Sequence, residues 1–435
     1  MWQRISSLPT FASLHNRDYR LLWLGQLGTS TGQWMDQVTR AWLIYDLTGS
    51  KLELGLVTAV RGAPLLLFGI LAGVLADRSG RKQQLIVAQA VNAALNFMLA
   101  TLVLTGHVHP WHLYVTGFFA GTVQAFQQPA RQTLISDIVG NKQLMNALAL
   151  NSAVLNVSRA TGPALSGILF ASRVGAEGSY YMQGALYLFA TIWTIQMHVP
   201  QRSEDSLRVR REPVLQSTKE GLSYVMRNRN IRALMILALG PLALGYPYTN
   251  LMPIFARDVL HHGSTLGGLL LTCVGLGALG GAFFVATARR RYAYSWPVIA
   301  GAIAFGLALL AFSQSRWVPV SIVVMFIVGI FSVTYQTQDQ TLAQLLAPPH
   351  LRGRVMSIYL LNRALLPMGT LLGGALAQWL NGPDALLIMS LGCIGTVLLT
   401  TLMHPGFIRL RVDMANPIAE QTPSEAMAPA QTPSG

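Results

Sequence analysis

Residues 73–82 read Gly73-Val74-Leu75-Ala76-Asp77-Arg78-Ser79-Gly80-Arg81-Lys82, with Asp77, Arg78, Arg81 and Lys82 crowded toward one end. On either side lie apolar runs of roughly 20 residues, each long enough to cross a hydrocarbon core about 30 Å thick. Full charges between two such runs belong in water at the edge of a bilayer. Runs of the same kind recur along nearly all of the 435-residue chain, which is 52% hydrophobic and 11% Asp, Glu, Lys or Arg. A soluble domain carries about 25% charged residues, and the mean hydropathy here is +0.43. This composition excludes a water-soluble enzyme and specifies an all-α polytopic membrane protein.

Twelve transmembrane helices are expected, at 20–47, 54–76, 83–106, 111–136, 144–171, 179–199, 231–257, 265–288, 294–314, 317–346, 354–380 and 384–404. The 31 Lys and Arg exceed the 17 Asp and Glu to give a net charge of +14, which in a soluble chain would suggest nucleic acid. The placement of the cations gives another reason. With both termini in the cytoplasm, 23 of the 31 basic residues fall on the cytoplasmic side, and only Lys51, Arg173, Arg257 and Arg316 lie in opposite loops. That bias is the retention signal of a multi-pass protein, so the partner is the lipid bilayer and no nucleic acid is expected. No cleavable signal peptide is expected ahead of the first span. The two cysteines, Cys273 and Cys393, lie in apolar runs and read as packing residues.

The chain divides at a polar, Arg-rich stretch. An N-terminal six-helix bundle is expected over 1–200 and a cytoplasmic linker over 201–230, solvated beside anionic headgroups. A C-terminal bundle over 231–411 and a disordered cytoplasmic tail over 412–435 complete the plan. The bundles look like copies. A shift of 208 lays Gln132-Thr133-Leu134 on Gln340-Thr341-Leu342, Gly73 on Gly281, Arg81 on Arg289 and Lys82 on Arg290; a shift of 212 lays Asn16-Arg17 on Asn228-Arg229. Two pseudo-symmetric halves with a site between them near mid-membrane is the parallel-repeat plan of secondary transporters.

The 73–82 loop resembles the signature loop of the major facilitator superfamily, Gly-x-Leu-Ala-Asp-Arg-x-Gly-Arg-Lys/Arg, at every specified position. The resemblance extends to Arg411, and Gly281 with Arg289, Arg290 and Arg291 forms a degraded second copy. It implies that Gly73, Asp77, Arg78, Gly80, Arg81 and Lys82 form a gating loop that latches the halves at the inner face; the alternative is charge that fixes topology alone. Trp42 to Ser50, and Gln128-Pro129-Ala130-Arg131-Gln132 through Asn146-Ala147, look like the enterobactin-exporter and macrolide-efflux branch of proton-linked exporters. Gly162-Pro163-Ala164-Leu165-Ser166-Gly167 is similar to the antiporter motif of drug exporters but departs from it at Ser166, where Gly is usual. A generic packing kink is the alternative reading of Gly162, Pro163 and Gly167. The resemblance implies a bacterial inner-membrane location, a monomer, and a small-molecule substrate exchanged for protons.

Polar side chains inside apolar spans mark the candidate pathway, because they are costly against lipid. Gln26, Thr29, Gln33, Asp36, Gln37 and Arg40 follow helical spacing along the first span. Asp36 and Arg40 are four apart and can pair. An acid that alternates between apolar surroundings and a cation suits proton uptake and release. Asp36 with Arg40 is therefore the first proton-coupling candidate, against a static pair. Asp339, whose repeat partner is Arg131, is the second, with a gating salt bridge as its alternative. Substrate-cavity candidates are Gln33, Gln37, Arg61, Gln124, Gln128, Asn156, Arg159, Tyr246, Asn362 and Arg363. Tyr246 adjoins Pro247, which predicts a bent helix.

Other chemistry is unsupported. His107, His109 and His112 have loose metal-like spacing but no neighbouring acid or cysteine, so no metal is expected. No Gly-x-x-x-x-Gly-Lys-Ser/Thr loop occurs, no other cofactor is implied, and no catalytic constellation appears. The sequence points to a proton-coupled exporter of an amphipathic drug-like compound or siderophore. An importer of a small metabolite and a transport-inactive sensor on the same fold remain the alternatives.

Overall fold

A backbone in hydrocarbon must hydrogen-bond to itself, and each expected span is helical. The structure, a computed structural model, describes residues 9–78, 80–199, 214–287, 292–348 and 351–413. The first helices are α1 (Arg17–Thr48), α2 (Lys51–Arg78) and α3 (Arg81–Leu104). Pro110–Ala171 follows as two helices, α4 over 110–139 and α5 over 141–171, divided at Gly140 by φ 63° and ψ 177°. Glycine takes that left-handed φ at little cost. A single residue thus turns the chain where the sequence suggests a longer loop. Next comes α6 (Gly175–Gln196).

The described part of the linker contains a helix, α7 (Val214–Arg227). The second half begins with α8 (Arg229–Leu239), continued to Val259 through wide and tight turns around Pro241, Pro247 and Pro253. This is the bent helix expected at Pro247. Then come α9 (Ser264–Thr287), α10 (Trp296–Gln314), α11 (Val318–Leu346), α12 (Arg352–Leu361, resumed at Leu366–Trp379) and α13 (Gly382–Met403). A short antiparallel pair, β1 (Tyr292–Tyr294) with β2 (Arg411–Asp413), ties the chain beyond α13 to the turn before α10. Among the described residues, six helices are long and apolar enough by length and composition to cross a membrane. The sequence repeat is visible as local structure. The Asn16 side chain accepts from the backbone of Asp18 and Tyr19, and Asn228 does the same for Asn230 and Ile231.

The two halves pack α2 against α12 and α5 against α9. Glycine permits the approach: a Cβ on Gly374 would lie 3.0 Å from the Gly55 Cα, and one on Gly167 would lie 3.0 Å from the Gly268 Cα. These contacts lie toward the distal face, opposite the linker and β-pair. Trp111, Trp296, Trp317 and Trp379 stand exposed at helix ends, where indole rings suit a membrane–water boundary. Cys273 and Cys393 are both buried and free. His109 and His112 have a structural task, since the His109 backbone N–H donates to His112 Nδ1 at 2.9 Å and closes the start of α4.

Candidate functional site

The polar stripe of α1 turns into the N-terminal half and builds an ion cluster there. Arg40 Nη2 donates to Asp36 Oδ1 at 2.9 Å, and Arg40 Nη1 reaches across to the Leu113 carbonyl at 2.7 Å and Thr116 Oγ1 at 2.9 Å. Arg61, from α2, pairs with the other oxygen of Asp36. Asp36 and Arg40 are 4% and 5% exposed, and Arg61 is half-buried. Its position depends on one close approach: a Cβ on Gly121 would stand 1.9 Å from the Arg61 carbonyl oxygen, so only glycine lets α4 lie on α2 there. The expected i,i+4 pair is thus present, and Arg61 makes it a triad with two cations for one acid. Asn92, Asn96 and Tyr187 complete the small cleft around it.

A second, narrow polar cleft shares Asn92 and Tyr187 with the first. It gathers Gln33, Gln124 and Gln128 from the candidate set with Gln26, Thr29, Gln127 and Arg131. Arg131 Nη1 donates to Thr29 Oγ1 at 3.1 Å. Gln37 leaves this group and donates to Thr249 Oγ1 of the other half at 3.1 Å. The stripe therefore serves two purposes, lining cavities at one level and joining the halves at another.

The remaining candidates are dispersed. The Arg159 guanidinium lies 5.3 Å from the Trp34 ring centroid, and Asn156 Nδ2 donates to the Ser152 carbonyl on its own helix at 3.0 Å. Gly162 abuts Trp34 and Thr31, so this part of α5 packs on α1. At the departure from the antiporter pattern, the Ser166 hydroxyl lies 2.7 Å from that of Thr39. Tyr246 packs 5.7 Å from Phe305, within an aromatic group that includes Tyr248 and Tyr335. Asn362 faces Met235 across a 3.5 Å contact. Asp339, 1% exposed, accepts from Tyr359 Oη at 2.6 Å. Asp339 and Arg131, aligned by the repeat, stay in separate halves and form no ion pair in this state. In the gating loop, Arg81 pairs with Asp137 of α4 at 2.5 Å and Lys82 donates to the Ile195 and Met197 carbonyls. The side chains of Gly73, Asp77, Arg78 and Arg363 lie outside the described residues.

Sequence reading missed the polar seam at the distal face. Arg257 pairs with Asp46 at 2.6 Å, and Tyr45 Oη donates to Asp258 Oδ2 at 2.6 Å. The Lys51 backbone N–H donates to Gln378 Oε1 at 2.9 Å, and Thr58 Oγ1 donates to Asn250 Oδ1 at 3.0 Å. Each of these joins the first half to the second. The available signal was opposite charge at the ends of the first and seventh spans. Toward the other face, Met145, Leu148 and Ser152 of α5 are exposed.

Paired helical bundles with a buried ion cluster, polar clefts and one closed seam are the architecture of a major facilitator transporter. A family model described as transmembrane secretion effector matches residues 8–432, and the chain belongs to that family. It is 24% identical over 348 residues to the staphyloferrin A transporter of Staphylococcus aureus, covering 78% of this chain and 85% of that one. It is 27% identical over 370 residues to the multidrug efflux pump Tap of Mycolicibacterium fortuitum, covering 82% and 88%. Among solved structures, a bacterial homolog of the human lysosomal transporter Spinster, inward-facing and occupied, superposes with a TM-score of 0.70 at 16% identity over 90% of this chain and 96% of that one. This last likeness concerns the fold. The family and relatives establish a multi-pass transporter of the bacterial cell membrane.

Proposed function

We propose that the chain is a proton-coupled exporter of small amphipathic molecules, a drug-like compound or a siderophore, working by alternating access across the cytoplasmic membrane. The observation that carries this reading is the Asp36–Arg40–Arg61 cluster, a buried acid shared by two cations from different helices beside a polar cavity. Protonating Asp36 removes the charge that holds Arg40 and Arg61 together. α1 and α2 can then shift, and both contribute to the distal seam through Tyr45, Asp46, Lys51 and Thr58. A proton arriving from outside is thereby linked to the seam. Asp339 is the second proton-coupling candidate.

The closed distal seam and the exposed inner part of α5 fit an inward-open state, with the distal face outside and both termini in the cytoplasm. That orientation uses all twelve helical stretches as crossings and agrees with the distribution of Lys and Arg. Asp77, Arg78, Arg81 and Lys82 would latch the inner face once it closes. A monomer suffices, because both halves are in one chain. Relatives named for multidrug efflux and staphyloferrin A support the substrate class.

A drug-susceptibility and siderophore-secretion panel in a strain lacking its own exporters tests this reading. Expression should raise tolerance to at least one amphipathic compound or restore secretion, and inverted vesicles should take up that compound when given a pH gradient. Flux in the opposite sense would identify an importer, and binding without counterflow would identify a sensor.

A further inference from the structure

Arg131 is a buried guanidinium with one nitrogen left open. It is 4% exposed on α4, and among the described residues no carboxylate pairs with it. Nη1 donates to Thr29 Oγ1, while Nη2 has no hydrogen-bond partner. The other arginines of the ion cluster are provided for, since buried Arg40 and half-buried Arg61 share Asp36. An uncompensated guanidinium in a low-dielectric interior is unfavourable unless a counter-charge is supplied. Arg131 also lines a narrow polar cleft, beside the amides of Gln124, Gln127 and Gln128. Gln128, at the mouth, is exposed.

We propose that this cavity is a carboxylate-binding site and that the exported molecule carries a carboxylate held by Arg131. The planar guanidinium matches the two oxygens of a carboxylate, and side-chain amides supply further N–H donors. This inference rests on the exporter reading above and narrows its substrates to amphipathic acids. An amphipathic cation would meet Arg131 as a like charge and be disfavoured.

The test compares benzoate with benzamide, its neutral near-isostere, on the purified full chain in lipid nanodiscs at equal ionic strength. Thermal stabilisation by benzoate should exceed that by benzamide at the same concentration by about twofold or more, as expected when a ligand binds only the folded state. Arg131→Met should abolish the difference. Gln124→Trp, which fills the cavity and leaves the arginine in place, should abolish it too and serves if the first variant does not fold. Equal shifts for the two probes on the wild type, no shift at all, or a difference that survives in a folded variant would overturn the proposal. Dye export by inverted vesicles reads the exporter assignment separately. A chain that pumps dye without preferring benzoate loses this site alone, whereas one that prefers benzoate without pumping keeps the site and loses the exporter.

Discussion

The two halves share a helix plan but not an interior. In the N-terminal half, Asp36, Arg40, Arg61 and Arg131 are set among Gln and Asn side chains around two cavities. In the C-terminal half, Phe305 meets Tyr246, Tyr248 and Tyr335 at ring separations of 5.7–6.3 Å, and Phe255 meets Phe312 at 4.6 Å. Asp339 is buried there beside Tyr359, a neutral partner. Duplicating a bundle therefore duplicates the scaffold without duplicating the charge. One half holds a buried ion cluster, and the other a packed aromatic group.

That contrast can be broken most severely at Arg40. Arg40→Met leaves Asp36 with Arg61 alone and removes the guanidinium's bonds to the Leu113 carbonyl and the Thr116 hydroxyl. Removing one member of a buried ion pair costs about 3–5 kcal/mol. The melting temperature in detergent should fall sharply, and gradient-driven transport should be lost. In the aromatic half, Phe305→Leu creates a cavity at a cost of about 1–2 kcal/mol. Its thermal stability should drop measurably while transport per folded molecule stays near wild type; loss of proton coupling in this variant would show that the halves do not divide the work as described. At the seam, Arg257→Ala removes an exposed pair with Asp46, worth about 0–1 kcal/mol. Melting should barely change, but a cysteine placed near the distal face should become more accessible to an impermeant thiol reagent.

The fold was legible because lipid constrains the chain strongly: apolar length, cation placement and the 73–82 loop all report on one boundary. The Asp36–Arg40 pair was legible because its spacing lies within one helix. Arg61 joining that pair was not, since its partner is 25 residues away on another helix and Gly121 gives no sign of the close approach it permits. The distal seam escaped for the same reason, as pairs such as Asp46 with Arg257 span 211 residues. Gln37 was read as a substrate-cavity residue on the polar stripe, yet it lines neither cleft, and its contact with Thr249 depends on how the halves dock. The amphipathic helix Val214–Arg227 lay inside a segment whose charge reads most simply as solvated chain.

The central claim is that proton coupling resides in the ion-bearing half, at Asp36. Its most direct measurement is uptake of a fluorescent efflux dye by inside-out vesicles under an imposed pH gradient, with wild type and Asp36→Asn at matched amounts of folded protein. The wild type should accumulate dye and Asp36→Asn should not, although the variant still inserts and still binds dye. Undiminished gradient-driven accumulation by Asp36→Asn would contradict the account.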